Sequence, residues 1–354
     1  MELFKASQQW ATRPDDERFS SLQDLYTATR EYAANSAERK EVPYSSLRVE
    51  AQDKEVVLVG KGNVPSRLTN WAFGQLSSVV GAPAGYLRQL PETLAAQNIN
   101  HGLKVRGESM GSANLLFHKN GSLLCRAFTS NKYGRIWNWE VAQRLLALPD
   151  QGWKVPPAMT DGQKPSGIYA SDHDMFVFLV NDNFRIKDGS DLGLGRGVFV
   201  SNSEVGAAAL RVTRFLYRYV CGNHIVWGAQ DVDEIAVRHV GEHTDYRMRR
   251  AFSATITKYM NSSASDDELK ISKAREFVIG SDKDAVLDRI FGKRIMSRTQ
   301  AAKAYDAVQP KIDGDPNTAW GLVQGITRAS QETPYADERV QMESATAKVL
   351  ALAF

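Results

Sequence analysis

The chain has 354 residues, 43% of them hydrophobic and 24% charged, with Lys and Arg outnumbering Asp and Glu by 44 to 41. That composition excludes a fibrous or mainly disordered chain and supplies apolar surface for one large core or two packed ones. The formal net charge of +3 excludes a globally basic field, so any nucleic-acid site has to be a local patch.

From Ser21, the residues Leu22, Leu25, Tyr26 and Thr29 recur at helical spacing behind Ser21 and Asp24, which predicts an amphipathic helix reaching about Ala34. Leu47, Val49 and Ala51, then Val56 to Val59, flank the polar tip Gln52-Asp53-Lys54 and read as a β-hairpin that a loop containing Pro65 ends. Thr69 caps the next predicted helix, whose apolar face is Trp71, Ala72, Leu76, Val79 and Val80. Gly81 is placed to stop it and Pro83 to open a short helix through Tyr86, Leu87 and Leu90. A third helix follows Pro91 and reaches about His101. Ser112 to His118 and Leu123 to Thr129 read as strands joined through Asn120-Gly121, the pair best suited to a type I′ turn because both positions tolerate positive φ. Asn138 to Leu148 is then helical and stops at Pro149.

Pro156, Pro157, Gly162, Pro165 and Gly167 punctuate a loop before extended runs at Met175 to Val180, Val198 to Asn202 and Ala209 to Tyr219. Beyond Asp245 the pattern is helical, in segments near 245–262, 265–279, 283–292, 297–308, 316–329 and 335–352. The chain therefore reads as α+β: antiparallel or mixed sheets with a helical insert, and a helical last third. A division into an N-terminal helical arm (1–44), an α+β core (45–244, with a sub-boundary near 150–168) and a helical region (245–354) follows. The only cysteines, Cys125 and Cys221, sit in apolar runs, as expected in a reducing cytosol. The N-terminus has no long apolar segment and no run of ~18 apolar residues occurs, so neither secretion nor membrane spanning is expected.

Three constellations carry chemistry. Arg126, Phe128, Lys132, Tyr133, Arg135, Trp137 and Trp139 interleave cations with rings, the combination that holds phosphates and stacks unpaired bases; buried rings beside a strand are the alternative. Arg211, Arg214 and Arg218 lie in a run without an acid from Val205 to Gln230. On a strand Arg214 and Arg218 share a face, and on a helix all three share a stripe; a solvated face, or pairing with later acids such as Asp231, is the alternative. Cys221 and His224 are separated by two residues, His239 and His243 by three, with fourteen between the pairs, a set that could hold tetrahedral zinc; isolated core or surface residues are the simpler account, and no cofactor is expected. The segment DGSDLGLGRG lacks the Lys-Ser/Thr ending of a phosphate loop and reads as a glycine-rich turn. Asp172, His173 and Asp174 are consecutive, cannot all point one way along a strand, and read as a loop tip. No nucleophile elbow and no His-Glu-x-x-His occurs, which points away from the common hydrolases.

The stretches LTNWAFGQLSSVVGAPAGYLRQLP, LLCRAFTSNKYGRIWNWEVAQRLLAL and FVSNSEVGAAALRVTRFLYRYVCGNHIVWG are similar, in this order, to the blocks of the family called domain of unknown function 932, or phage/plasmid-like proteins. IAVRHVGEHTDYRMRRAF and NTAWGLVQGITRASQ extend the resemblance over roughly residues 45 to 350. On it, Gln75, Leu76, Pro83, Tyr86 and Pro91 belong to the first block, Arg126, Ser130 and Tyr133 to the second, and Asn202, Ser203, Arg218, Cys221 and Asn223 to the third. The family supplies no catalytic residues. The first two blocks also resemble, in pattern alone, phage single-strand annealing proteins. The expectation is a non-enzymatic protein of a phage or plasmid that grips single-stranded DNA, as a homo-oligomer where annealing requires one. A protein that binds a host factor, or a metal-dependent nucleic-acid enzyme, are the alternatives.

Overall fold

A computed structural model describes residues 17–60, 62–156, 167–187, 193–218, 223–225, 235–241, 244, 246–250, 252, 256, 264–331, 342 and 345–354. The fold is α+β. Helix α1 (Leu22–Ala34) starts where Ser21 Oγ accepts the Asp24 N–H at 3.0 Å, and buries Leu22, Leu25 and Thr29. The first sheet then collects β1 (Ser36–Pro43), β2 (Arg48–Gln52), β3 (Glu55–Val59), β4 (Pro65–Leu68), β5 (Ser112–Asn120) and β6 (Ser122–Ser130). Its order is β1-β5-β6-β4-β3-β2, with β4 parallel to β6 and the other pairs antiparallel. The β2–β3 turn uses Asp53 and Lys54 at φ 51° and 65°, the two positive values a type I′ turn needs. Pro65 does not lie in a loop as its sequence implied: it is the first residue of β4, a place where a missing N–H is tolerated.

Between β4 and β5 come α2 (Asn70–Val80), α3 (Ala84–Leu87) and α4 (Glu92–Met110). Thr69 caps α2 through the Ala72 N–H, and Gly81 ends it in a left-handed conformation at φ 74°. Helix α4 runs nine residues past the expected stop at His101. Gly102 lies under α2, where a Cβ would stand 2.4 Å from Val80 Cβ, so the residue that lowers helix propensity is the one that lets the two helices approach. Ile99 and Leu103 bury the same stripe against Leu76, Val80 and Leu115.

Helix α5 (Asn138–Leu145) leads into a second sheet of β7 (Trp153–Lys154), β8 (Ile168–Ala170), β9 (Met175–Ile186), β10 (Leu194–Asn202), β11 (Leu210–Arg218), β12 (Asn223–Ile225) and β13 (Ile235–Val237). Every pairing in it is antiparallel, along β12-β11-β10-β9-β7, with β8 on β9 and β13 on β11. The glycine-rich segment read as a turn enters the sheet at Leu194, and Gly197 lies beneath its partner Phe215, whose ring would touch a Cβ at 2.3 Å. That ring belongs to a fully buried cluster with Tyr169, Phe176, Phe178, Val180, Phe199 and Tyr217 on one face of the sheet. The opposite face packs Val177, Leu179, Val198, Val200, Leu210 and Val212 against α1 and α5.

Helices α6 (Ala264–Glu276), α7 (Lys283–Gly292), α8 (Arg298–Asp306), α9 (Pro310–Asp313) and α10 (Ala319–Gln331) follow. They close around Trp320, Val323 and Ile326, with Ile186, Leu194 and Leu216 from the sheet. Arg196 on β10 reaches α6 through Asp267 at 3.2 Å. No helix among the described residues is long and apolar enough to cross a membrane.

Candidate functional site

The two sheets meet at an ionic junction that originates in one irregularity of β6. Leu116 pairs with Ala127 and Phe117 with Cys125, so Arg126 is the extra residue of a β-bulge. A bulge re-aims side chains: Cys125 and Phe128 face the helices, while Arg126 and Ala127 turn to the opposite side. There Arg126, 1% exposed, places Nη2 at 3.0 Å from Glu204 Oε2 and donates to the Asp172 carbonyl at 2.7 Å. Its guanidinium lies over the Tyr32 ring, 4.4 Å from the centroid. Burial holds the Tyr32 hydroxyl above its usual range, and the Arg126 charge opposes this.

Glu204 belongs to the 203–206 segment that follows β10, and each sequence block supplies a partner to that segment. Trp71 Nε1 and Gln75 Nε2 on α2 donate to the Val205 carbonyl at 2.9 and 2.8 Å, while Gln75 Oε1 accepts the Phe128 N–H at 2.9 Å. Tyr133 donates to the Ser203 carbonyl at 2.9 Å, and Asn202 Nδ2 to Ile136 O at 3.0 Å and Asn138 Oδ1 at 2.9 Å. The Asn138 N–H, at the start of α5, donates to Glu204 Oε1 at 2.8 Å. Arg135 donates to the Glu204 carbonyl and, through Nη2, to Glu38 of β1 at 2.8 Å. Two buried arginines and two acids are thus matched charge for charge, as buried ions require.

This placement turns the predicted cation–aromatic segment inward. Arg126 and Arg135 are consumed by Glu204 and Glu38, and the rings of Tyr133 and Trp137 lie 5.3 and 5.6 Å from the Arg135 guanidinium rather than open to a ligand. The bulge and the acids that cause this are remote in sequence, which is why the spacing of the segment did not announce it. Burial raises the Tyr133 hydroxyl pKa. Of the segment's cations only Lys132 is exposed.

Arg211 and Arg214 lie on opposite faces of β11, half-buried, and both have partners. Arg214 and Arg218 share strand parity as expected, and the Arg218 side chain lies outside the described residues. Arg126, Arg211 and Arg214 therefore do not open onto one groove.

Of the candidate zinc ligands, Cys221, His243 and the His224 side chain lie outside the described residues. His239 is 4% exposed and stacked on Tyr133, centroids 5.1 Å apart at 10°. Burial, aided by Arg135, lowers its pKa to about 4, so the ring is neutral near pH 7. No group of three potential metal ligands occurs among the described residues. Asp172, His173 and Asp174 form a turn between β8 and β9, closed by the Ser171 hydroxyl on Asp174 Oδ1 at 2.6 Å.

The turn after β6 also builds a surface. Tyr133 bridges Val240, the Gly134 N–H donates to His239 O at 3.0 Å, and the Gly241 N–H to Lys132 O at 3.0 Å. Gly134 is required for this approach, since a Cβ there would stand 2.1 Å from Thr244 Oγ1 and 2.7 Å from Gly241 O. The pairing sets exposed Lys132 beside exposed Arg238 and Val240. In the helical residues that follow, Met248, Phe252 and Ile256 are buried at spacings of four, which leaves Tyr246, Arg247, Arg249 and Arg250 exposed on the other side. Tyr246 is 63% exposed. Sequence reading placed residues 238–250 in the family resemblance and drew no surface from them; the run Tyr-Arg-Met-Arg-Arg carried the signal.

Residues 178–333 match the family described as Domain of unknown function (DUF932). The match is narrower than the resemblance over 45 to 350: it begins in β9 and includes Ser203 and Glu204, while Gln75, Arg126, Tyr133 and Arg135 precede it. No curated protein and no solved structure matches the chain.

Proposed function

We propose that this chain, whose residues 178–333 belong to DUF932, binds single-stranded nucleic acid through Lys132, Arg238, Arg247 and Arg250, with Tyr246 as the stacking ring. The observation that carries the reading is the pairing of the 132–134 turn with residues 239–241, which brings exposed Lys132 against the segment that carries exposed Arg238, Tyr246, Arg247 and Arg250. Cations track a strand's phosphates, and a ring tolerates any base. Among the described residues the surface combines five exposed cations, with Arg249, which supports a local patch on a chain of low net charge. Arg247 donates to Val240 O and Thr244 Oγ1 and so also holds the surface in shape. A phage or plasmid setting, and with it a bacterial cytosol, belongs to the same proposal and rests on the family resemblance.

The test is fluorescence anisotropy of labelled single- and double-stranded oligonucleotides at ~50 and ~200 mM salt, on the parent and on Lys132→Ala, Arg238→Ala and Arg250→Ala. Each substitution is expected to reduce the single-strand salt slope by about 0.7. Binding that ignores salt, or that all three substitutions leave unchanged, removes this reading.

A further inference from the structure

Helix α7 ends in a Schellman motif: the Ile295 N–H bonds to Ile290 O at 3.1 Å and the Arg294 N–H to Phe291 O at 2.8 Å. The residue that must turn left-handed in this motif is almost always glycine, because a side chain there crowds the backbone. Here it is Arg294, at φ 55°. Glycine is available two residues earlier, as Gly292, the last residue of the helix. Arg294 shares the left-handed conformation with Glu41, Asp53, Lys54 and Asn63, so the surroundings of its side chain decide whether that side chain has a use.

That side chain lines an open cleft of about 690 Å³ together with Phe291, Ile295, Met296, Ser297, Gln300 and Lys348. No carboxylate lines it among the described residues. Phe291 is 59% exposed although it sits in the last turn of a helix with a buried face. Arg294 and Lys348 are both exposed, whereas the neighbouring cation Arg298 is held by Asp284 and Asp288. The cleft therefore offers a bare ring, two cations and an apolar wall of Ile295 and Met296. A planar apolar group stacks on such a ring, and a phosphate accepts from a guanidinium fork and an ammonium.

We propose that this cleft binds a nucleotide, its base against Phe291 and its phosphate between Arg294 and Lys348. The unit is either a free nucleotide or part of a strand, since both present the same chemistry. The cleft shares no residue with the Lys132 surface, so the two readings stand or fall separately.

Isothermal titration of the full chain with thymidine 5′-monophosphate, thymidine, inorganic phosphate and a five-residue thymidylate oligonucleotide tests it. The monophosphate is expected to bind at least tenfold tighter than thymidine or phosphate alone, and Phe291→Ala, Arg294→Gly and Lys348→Ala each to weaken it at least fivefold. Arg294→Gly should melt no lower than the parent, because glycine suits the left-handed position, so its loss of binding is not a loss of folding. An oligonucleotide that binds tighter than the monophosphate, and loses this in Arg294→Gly, places a strand in the cleft; the reverse order places a free nucleotide there. No heat with either, phosphate binding as tightly as the nucleotide, or full binding by Arg294→Gly overturns the proposal.

Discussion

Replacing Glu204 by Gln, and Arg126 by Met, singly and together, measures the junction that joins the two sheets. Glu204→Gln keeps an oxygen for the Asn138 N–H, which lies 2.8 Å from Oε1, and removes only the charge. Arg126, 1% exposed, would then keep the Asp172 carbonyl and the Tyr32 ring but lose the buried carboxylate it pairs with, and the other buried acid of the junction, Glu38, is 2.8 Å from Arg135. Breaking one side of a buried pair costs about 3–5 kcal/mol, because the remaining charge stays desolvated. Arg126→Met strands Glu204 in the same way. The double variant strands neither, so its cost should fall short of the sum by 2 kcal/mol or more. Urea unfolding of the four proteins at pH 7 supplies the cycle, and anisotropy with a single-stranded oligonucleotide should give unchanged affinity per folded molecule. Costs that add within about 0.5 kcal/mol, or a folded Arg126→Met protein that has lost its oligonucleotide, would refute the assignment of Arg126 to structure.

His239, with a folded pKa of about 4 against about 6.5 unfolded, binds its proton more weakly in the native state. Above pH 6.5 neither state is protonated and stability is unaffected. As pH falls from 6.5 to 4 the unfolded chain takes up the proton first, and stability should drop by about 3 kcal/mol. His239→Phe should flatten that component when unfolding free energy is followed across the window, and identical slopes in parent and variant would exclude it. Gly134→Ala sets a Cβ against Thr244 Oγ1 and the Gly241 carbonyl, a backbone clash that should cost about 1–3 kcal/mol. Hydrogen exchange should report it as faster exchange at the Gly134 and Gly241 amides, and protection equal to the parent's would show that the contact relaxes freely.

The parts of this fold that were legible are those decided within a few residues. Ser21 and Thr69 capped their helices, Gly81 stopped one, and Gly121 turned the β5–β6 hairpin at φ 69°, although Asn120, expected to share that turn, is the last residue of β5 and pairs with Ser122. The parts that were not legible depend on partners far along the chain. Pro65 became a strand residue because β4 had Val59 on one side and, at Arg67 and Leu68, β6 on the other. Helix α4 continued past His101 because Gly102 met Val80 rather than solvent. In the site the same rule operates more sharply: Arg126 and Lys132 read alike as cations among rings, but a one-residue bulge turns the first toward buried Glu204, while the second lies in the turn after β6 and is exposed.

The family resemblance was informative in a different way from the composition of its blocks. Gln75, Arg126, Tyr133, Asn202 and Ser203 lie in three blocks more than a hundred residues apart at the extremes, and all five touch or flank the 203–206 segment. A cation pattern read along the chain suggests a ligand for Arg126 and Tyr133; the structure gives all five one another. Glu204, which no pattern singled out, accounts for the set, since a carboxylate buried at 2% exposure has to be surrounded by donors and a counter-charge. Because the matched segment begins at Phe178 while those partners come from α2, β6 and the turn after it, a buried acid near the start of the matched segment is neutralised by residues that precede it. The residues that make the junction stable are therefore unavailable to a ligand, which is why the binding proposed above is assigned to the exposed cations instead.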